Sequence, residues 1–203
     1  MTIHKRSIAA LAGLLALSAC GSLNPMALTK LAGLSPLEIA PEQISVAAVM
    51  PIPLRLRTGD VVLHFVMDAP APYGPIDEKL PLEIVAGENA PGVSASPSFE
   101  RIQVARVAAA DRARLAAAQA KARAFKATGR KDGKGSISVT IAGGCRDGAV
   151  NPGALSAEIY MRSKIEEQYF RLSSVNLRKL LSEDALAKLP LCEDAKAEED
   201  PEP

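Results

Sequence analysis

The chain reads as a mainly β protein with one inserted helix. The expected architecture is an antiparallel, sandwich-like domain of about seven short strands, with short helical pieces near the C-terminus. Two observations predict it. Short β-branched or alternating runs recur between turn signals rich in Gly, Pro, Asn and Asp. One alanine-rich stretch near the middle carries an apolar stripe at helical spacing. No internal repeat of fixed period is present.

The chain opens with the parts of a secretory signal in order. Lys5 and Arg6 give a positive start, and Ser7 to Leu17 is an apolar run. That run is too short for a membrane span, which needs about 20 apolar residues. Leu17, Ser18, Ala19 and Cys20 follow. This tetrapeptide resembles the lipobox of bacterial lipoproteins: an aliphatic residue, two small residues and a cysteine. The resemblance covers only the targeting segment. It implies cleavage before Cys20, a diacylglyceryl group on the Cys20 thiol and an acylated new amino terminus. Two or more chains hold a protein on a membrane where one does so only marginally. Gly21 and Ser22 resemble the pattern sent to the outer membrane, facing the periplasm. Residues 1–19 are thus expected to leave, and 20–43, with Pro25, Pro36 and Pro41, to be a lipidated tether.

The folded domain is expected over 44–192. Ile44 to Met50 is β-branched and apolar, and Pro51 and Pro53 after it predict an edge position or a bend. Leu54 to Arg57 alternates, Thr58-Gly59-Asp60 is a turn signal, and Val61 to Met67 is the strongest strand. These two runs are expected to form a hairpin. Asp68 to Pro75 reads as a loop, Leu80 to Val85 as a strand, Gly87 to Ser98 as a loop, and Phe99 to Val107 as a strand leading into the helix.

Alanine content predicts a helix over 109–128. Leu115, Ala118, Ala122 and Phe125 share one stripe, and Gly129 supplies the stop. Gly129 to Gly135 is a basic loop, Ser136 to Ala142 a strand, and Gly143 to Gly148 a tight turn region. Ala157 to Arg162 and Gln168 to Leu172 are further strands. Asn176 to Leu181 and Ser182 to Leu189 read as short helical pieces, with Ser182 an N-cap. The acid-rich end, 193–203, is expected to be a disordered tail.

Loss of Lys5 and Arg6 moves the formal charge from +1 to −1. A nearly neutral chain makes no case for nucleic-acid binding. Beyond Cys20, Cys145 and Cys192 remain as an even pair in an oxidising compartment, and a disulfide is the default reading. Two free buried thiols or a redox pair are the alternatives, although a redox pair usually shows Cys-x-x-Cys spacing.

Catalytic chemistry finds little support. His64 is the one histidine left after the signal and sits mid-strand, and no Gly-x-Ser-x-Gly elbow is present. One histidine and two distant cysteines do not make a zinc set. Residues 129–136 (GRKDGKGS) fail as a P-loop, because Gly135 follows Lys134 and a strand follows the loop. No catalytic residue, metal or cofactor is therefore assigned. The basic helix remains. Arg112, Arg114, Lys121, Arg123 and Lys126 lie off the apolar stripe and form a candidate surface for an anionic partner, against a simple solvated face. The expectation is a non-enzymatic, membrane-anchored accessory lipoprotein with a protein partner. The alternative is a small-molecule or lipid-binding module, since an apolar chain with few aromatics suits an aliphatic cavity.

Overall fold

The computed structural model describes residues 22–23, 37–150, 155–164, 167–177 and 188–193. The signal, the Cys20 site, most of the C-terminal helical pieces and the acidic tail after Glu193 lie outside these residues.

The strands are β1 (Ser22–Leu23), β2 (Ser45–Pro51), β3 (Leu54–Arg55), β4 (Val61–Asp68), β5 (Ile76–Val85), β6 (Glu100–Val107), β7 (Lys134–Ile141), β8 (Cys145–Arg146), β9 (Ser156–Arg162) and β10 (Phe170–Asn176). One helix, α1 (Ala109–Ala127), joins β6 to β7. The long strands form one curled antiparallel sheet in the order β10-β9-β2-β6-β5-β4-β7, with β1 added beside β10. β3 and β8 make a separate short pair.

Alternation sorts the side chains. On β4, Val61, Leu63, Phe65 and Met67 are buried, whereas Val62, His64 and Val66 are only partly so. The buried column joins a core with Val46, Ala48 and Met50 of β2, Leu80 and Leu82 of β5, and Ala157, Ile159 and Met161 of β9. α1 adds Leu115, Ala118, Ala122 and Phe125, the stripe that its spacing predicts. Gln119 is buried beside that stripe, and its amide donates to the Ile39 carbonyl at 2.9 Å. Arg123 donates to the Leu37 carbonyl. Together they fasten 37–43, part of the expected tether, onto the helix.

Of the edge position and the bend that the prolines predict, the bend forms: Ile52 and Pro53 make a turn, and β2 is not at an edge. It pairs with β6 on one side and β9 on the other, and the β9 ladder ends at Val49, before Pro51 lacks an N–H to offer. Every residue of β2 is buried because its second face is covered as well. There Ala47, Val104 and Tyr169 form a smaller cluster with Ala90, Val93, Ile102 and Tyr160.

The expected hairpin between Leu54–Arg57 and Val61–Met67 does not form. The turn exists, with Gly59 at φ 92° and the Arg57 N–H donating to Asp60 Oδ2 at 2.7 Å. However, β3 pairs with β8, and β4 pairs with β5 and β7. The Leu56 backbone is held by the Gln103 side chain, which both accepts from its N–H and donates to its carbonyl. That side-chain bracket takes the place of a strand ladder.

β5 is longer than expected. It pairs with β4 from Ile76 to Pro81 and with β6 from Leu82 to Val85, so Pro81 falls where the pairing changes hands. At the C-terminal end, β10 runs through Asn176, and Lys188 and Leu189 lie in a turn. The expected helical pieces are not supported: Asn176 belongs to β10, Leu177 alone is helical, and 178–187 lie outside the described residues. Pairing with β9 continues past an irregularity between Arg171 and Ser173 and carries the strand to Asn176, where a helix start was expected. Cys145 and Cys192 form a disulfide with Cα atoms 5.0 Å apart.

Candidate functional site

The five cations of α1 differ in how they are engaged. Arg112 donates to the Val107 carbonyl at 3.4 Å. Arg114 pairs with Glu78 at 2.9 Å and Asp111 at 3.2 Å, and donates to the Lys79 carbonyl. Arg123 is spent on Leu37. These arginines tie the helix to its surroundings. Lys121 and Lys126 have no carboxylate within ion-pair distance among the described residues.

Lys126 instead belongs to a different assembly. At the C-terminal end of α1 a cavity of about 460 Å³ opens between the helix, the loop 129–133 and strands β4 and β7. Its apolar wall includes Phe65, Met67, Phe125 and Ile137, and its polar rim carries Lys126, Arg130, Lys131 and Lys134. Register explains the floor. Phe65 stands opposite Ile137, and Met67 opposite Gly135. A glycine there leaves open the space that a side chain would fill beside Met67. Phe125 closes one wall, against Tyr73 with ring centroids 5.8 Å apart.

The rim charges differ in their commitments. Arg130 donates twice to Asp132, at 3.0 and 2.6 Å, and this hydrogen bonding holds the Asp132 carboxyl below the usual range. Lys126, Lys131 and Lys134 have no such partner among the described residues. Asp68 lies opposite Lys134 in the register but does not line the cavity.

A second cavity, about 390 Å³, lies between β7 and the β9–β10 side of the sheet. Its walls include Met50, Leu56, Val139, Ile141, Ile159 and Leu177. No lysine lines it among the described residues.

The outer face of β2, β6 and β9 carries a buried polar cluster. Glu88 accepts from Arg106 and, at 3.2 Å, from Arg162. The Arg162 guanidinium sits 4.7 Å from the Tyr169 ring centroid, and the Tyr169 hydroxyl shares a 2.6 Å hydrogen bond with Ser45. Burial raises the Tyr169 phenol above its ordinary value. Nearby, burial and a hydrogen bond to Glu158 push Tyr160 up to about 12. The same bond, helped by Arg171, holds Glu158 below the usual carboxylate range.

His64 is half-buried on β4, with Nε2 2.5 Å from Asp77 Oδ1. Among the described residues no group of three His, Cys, Asp or Glu side chains is placed to hold a metal, and no helix is long and apolar enough to cross a membrane.

Sequence reasoning reached Lys126 but missed the cavity. Phe65, Met67 and Ile137 read as ordinary strand residues, and Lys131 and Lys134 as parts of a solvated connection. Only the pairing of β4 with β7 brings them together. No family model, curated protein or solved structure matches the chain.

Proposed function

We propose that this protein is a non-catalytic, membrane-anchored envelope lipoprotein of the structural or accessory type, working with a protein partner in the periplasm. The lipobox-like Leu17-Ser18-Ala19-Cys20 motivates the anchor. One structural relationship supports the way the anchor is used. Ser22 and Leu23 pair with Ser174 and Ser173 of β10. Cys20 therefore stands at most about 7 Å of extended chain from the sheet. A lipid on its sulfur sets the β10 edge directly on the membrane surface and not at the end of a long spacer. The curled sheet is read as sandwich-like, because Val139 and Ile141 of β7 face Ile159 of β9 across one shared cavity.

Labelling with an acyl precursor tests the anchor. The Cys20→Ser protein is expected to lose both the label and its membrane association, and retention of either overturns the reading. Crosslinking in native envelopes, followed by mass spectrometry, tests the role. A stoichiometric protein partner is expected, and recovery of the protein alone counts against it.

A lipid- or small-molecule-binding module is the second reading, and the cavity beside α1 favours it. Its volume falls within the range of ligand sites, roughly 300–1,000 Å³.

A further inference from the structure

We infer that the cavity between α1 and β7 binds the hydrocarbon chain of an anionic lysophospholipid, with Lys126, Lys131 and Lys134 receiving the phosphate. The inference deepens the second reading above and does not require the lipid anchor.

The apolar end is already built. Phe65, Met67, Phe125 and Ile137 line a space of about 460 Å³. This lies toward the small end of the range for ligand sites, which suits one chain over a pair. The space exists because β7 places Gly135 opposite Met67. A Cβ at Gly135 would come 3.3 Å from the Val66 carbonyl oxygen and 3.7 Å from Met67 Cγ, so a bulky side chain there would crowd the Met67 wall of the cavity.

The polar end selects charge. Most arginines of this region are committed: Arg130 to Asp132, Arg114 to Glu78 and Asp111, Arg123 to Leu37. The three lysines are exposed and have no carboxylate within ion-pair distance among the described residues, with Asp68 across the strand from Lys134 the nearest in register. The helix dipole accounts for a cation at Lys126, in the last turn of α1. It does not account for Lys131 and Lys134, which lie beyond the helix. Lysine ammonium groups on flexible stems are point-charge partners for phosphate. Three of them around one apolar mouth complement a head group that is anionic, attached to a chain that is not.

The test uses the purified protein in phosphatidylcholine vesicles and in vesicle-free buffer. A lysophosphatidylglycerol carrying a photoreactive group on its chain is added, and the labelled peptides are mapped. Label is expected in peptides containing Phe65–Met67, Phe125 and Ile137. The matching lysophosphatidylcholine is expected to label at least about tenfold less, as is the Lys126→Gln/Lys131→Gln/Lys134→Gln variant. Gly135→Leu, which fills the floor, is expected to abolish labelling. The triple lysine variant alters only exposed side chains, so it decides the matter even if Gly135→Leu fails to fold.

Label elsewhere, equal labelling by the zwitterionic analogue, or unchanged labelling of the lysine variant overturns the proposal. Labelling by photoreactive palmitate in place of the lysophospholipid overturns the phosphate assignment. Flotation with vesicles reports the anchor and the labelled peptide reports the site, so the two readings fail separately.

Discussion

A Cβ built on Gly133 would stand 2.4 Å from the ring of Phe125. The loop after α1 thus lies directly on the aromatic residue that ends the buried stripe of the helix. A methyl group there must displace either the ring or the loop.

Gly133→Ala is therefore expected to lose about 1–3 kcal/mol, the usual cost of overpacking a filled site. Phe125 is also a cavity wall, so the same change is expected to alter labelling at the lysine-rimmed site. Denaturant unfolding checks the first outcome. An unchanged midpoint would mean that the loop moves aside freely.

Removing the disulfide is expected to cost about 4 kcal/mol, from the loop-closure entropy of the 47-residue separation between Cys145 and Cys192. Cys192→Ser and reduction of the native protein should lower the unfolding midpoint by similar amounts. A much smaller loss would show that the Cys192 N–H···O=C bond to Arg146 and the Arg146 side-chain contact with Leu189 hold this segment without the bond.

Glu88 is the shared carboxylate of Arg106 and Arg162. Arg162 is 6 % exposed, and breaking a buried pair by removing one partner typically costs about 3–5 kcal/mol. Glu88→Gln is expected to approach that loss at neutral pH. Thermal unfolding of the variant checks it, and a change below about 1 kcal/mol would place Glu88 among ordinary surface partners.

The tyrosine and carboxylate shifts set opposite pH limits. Glu158 lies below its ordinary value in the fold, so its contribution is present above the unfolded carboxylate range. That contribution is lost as pH falls through the folded value. Tyr160 is raised from 10.0 to about 12, so the folded state keeps a proton that the unfolded chain gives up. Its contribution holds below about pH 10 and is lost as pH rises toward 12. Tyrosinate absorbance is a clean probe, since the chain has three tyrosines and no tryptophan. Tyr169 is raised as well, so two tyrosines titrate late, and Tyr160→Phe is expected to remove one tyrosine's share of that late absorbance. Complete ionisation near pH 10 would contradict it.

Local pattern revealed faces but not partners. The stripe on α1 and the alternation on β4 were legible because each depends on the period of a single element. The link from β3 to β8 was not, because it spans most of the domain and β3 is only two residues long. The proline pair after Met50 suggested an edge or a bend; the bend forms at Ile52 and Pro53, and β2 is central, its β9 ladder stopping before Pro51. The same limit hid the site. Counting cations on α1 does not show that Arg112, Arg114 and Arg123 turn back onto the protein. Nor does it show that β7 brings Lys134 to the same mouth as Lys126.

The open sheet leaves two borders to defend against unwanted pairing with other chains. At β10 the chain covers part of the border with its own residues, Ser22 and Leu23. At β7 no strand pairs with the outer side among the described residues. A strand with free backbone donors and acceptors along one side is a template for aggregation. Here Lys134 opens the strand, and Ser136, Ser138 and Thr140 keep its solvent face polar. Replacing those residues with apolar ones would leave the fold's interior untouched and make the protein prone to self-templated assembly, a failure that begins at the border and not in the core.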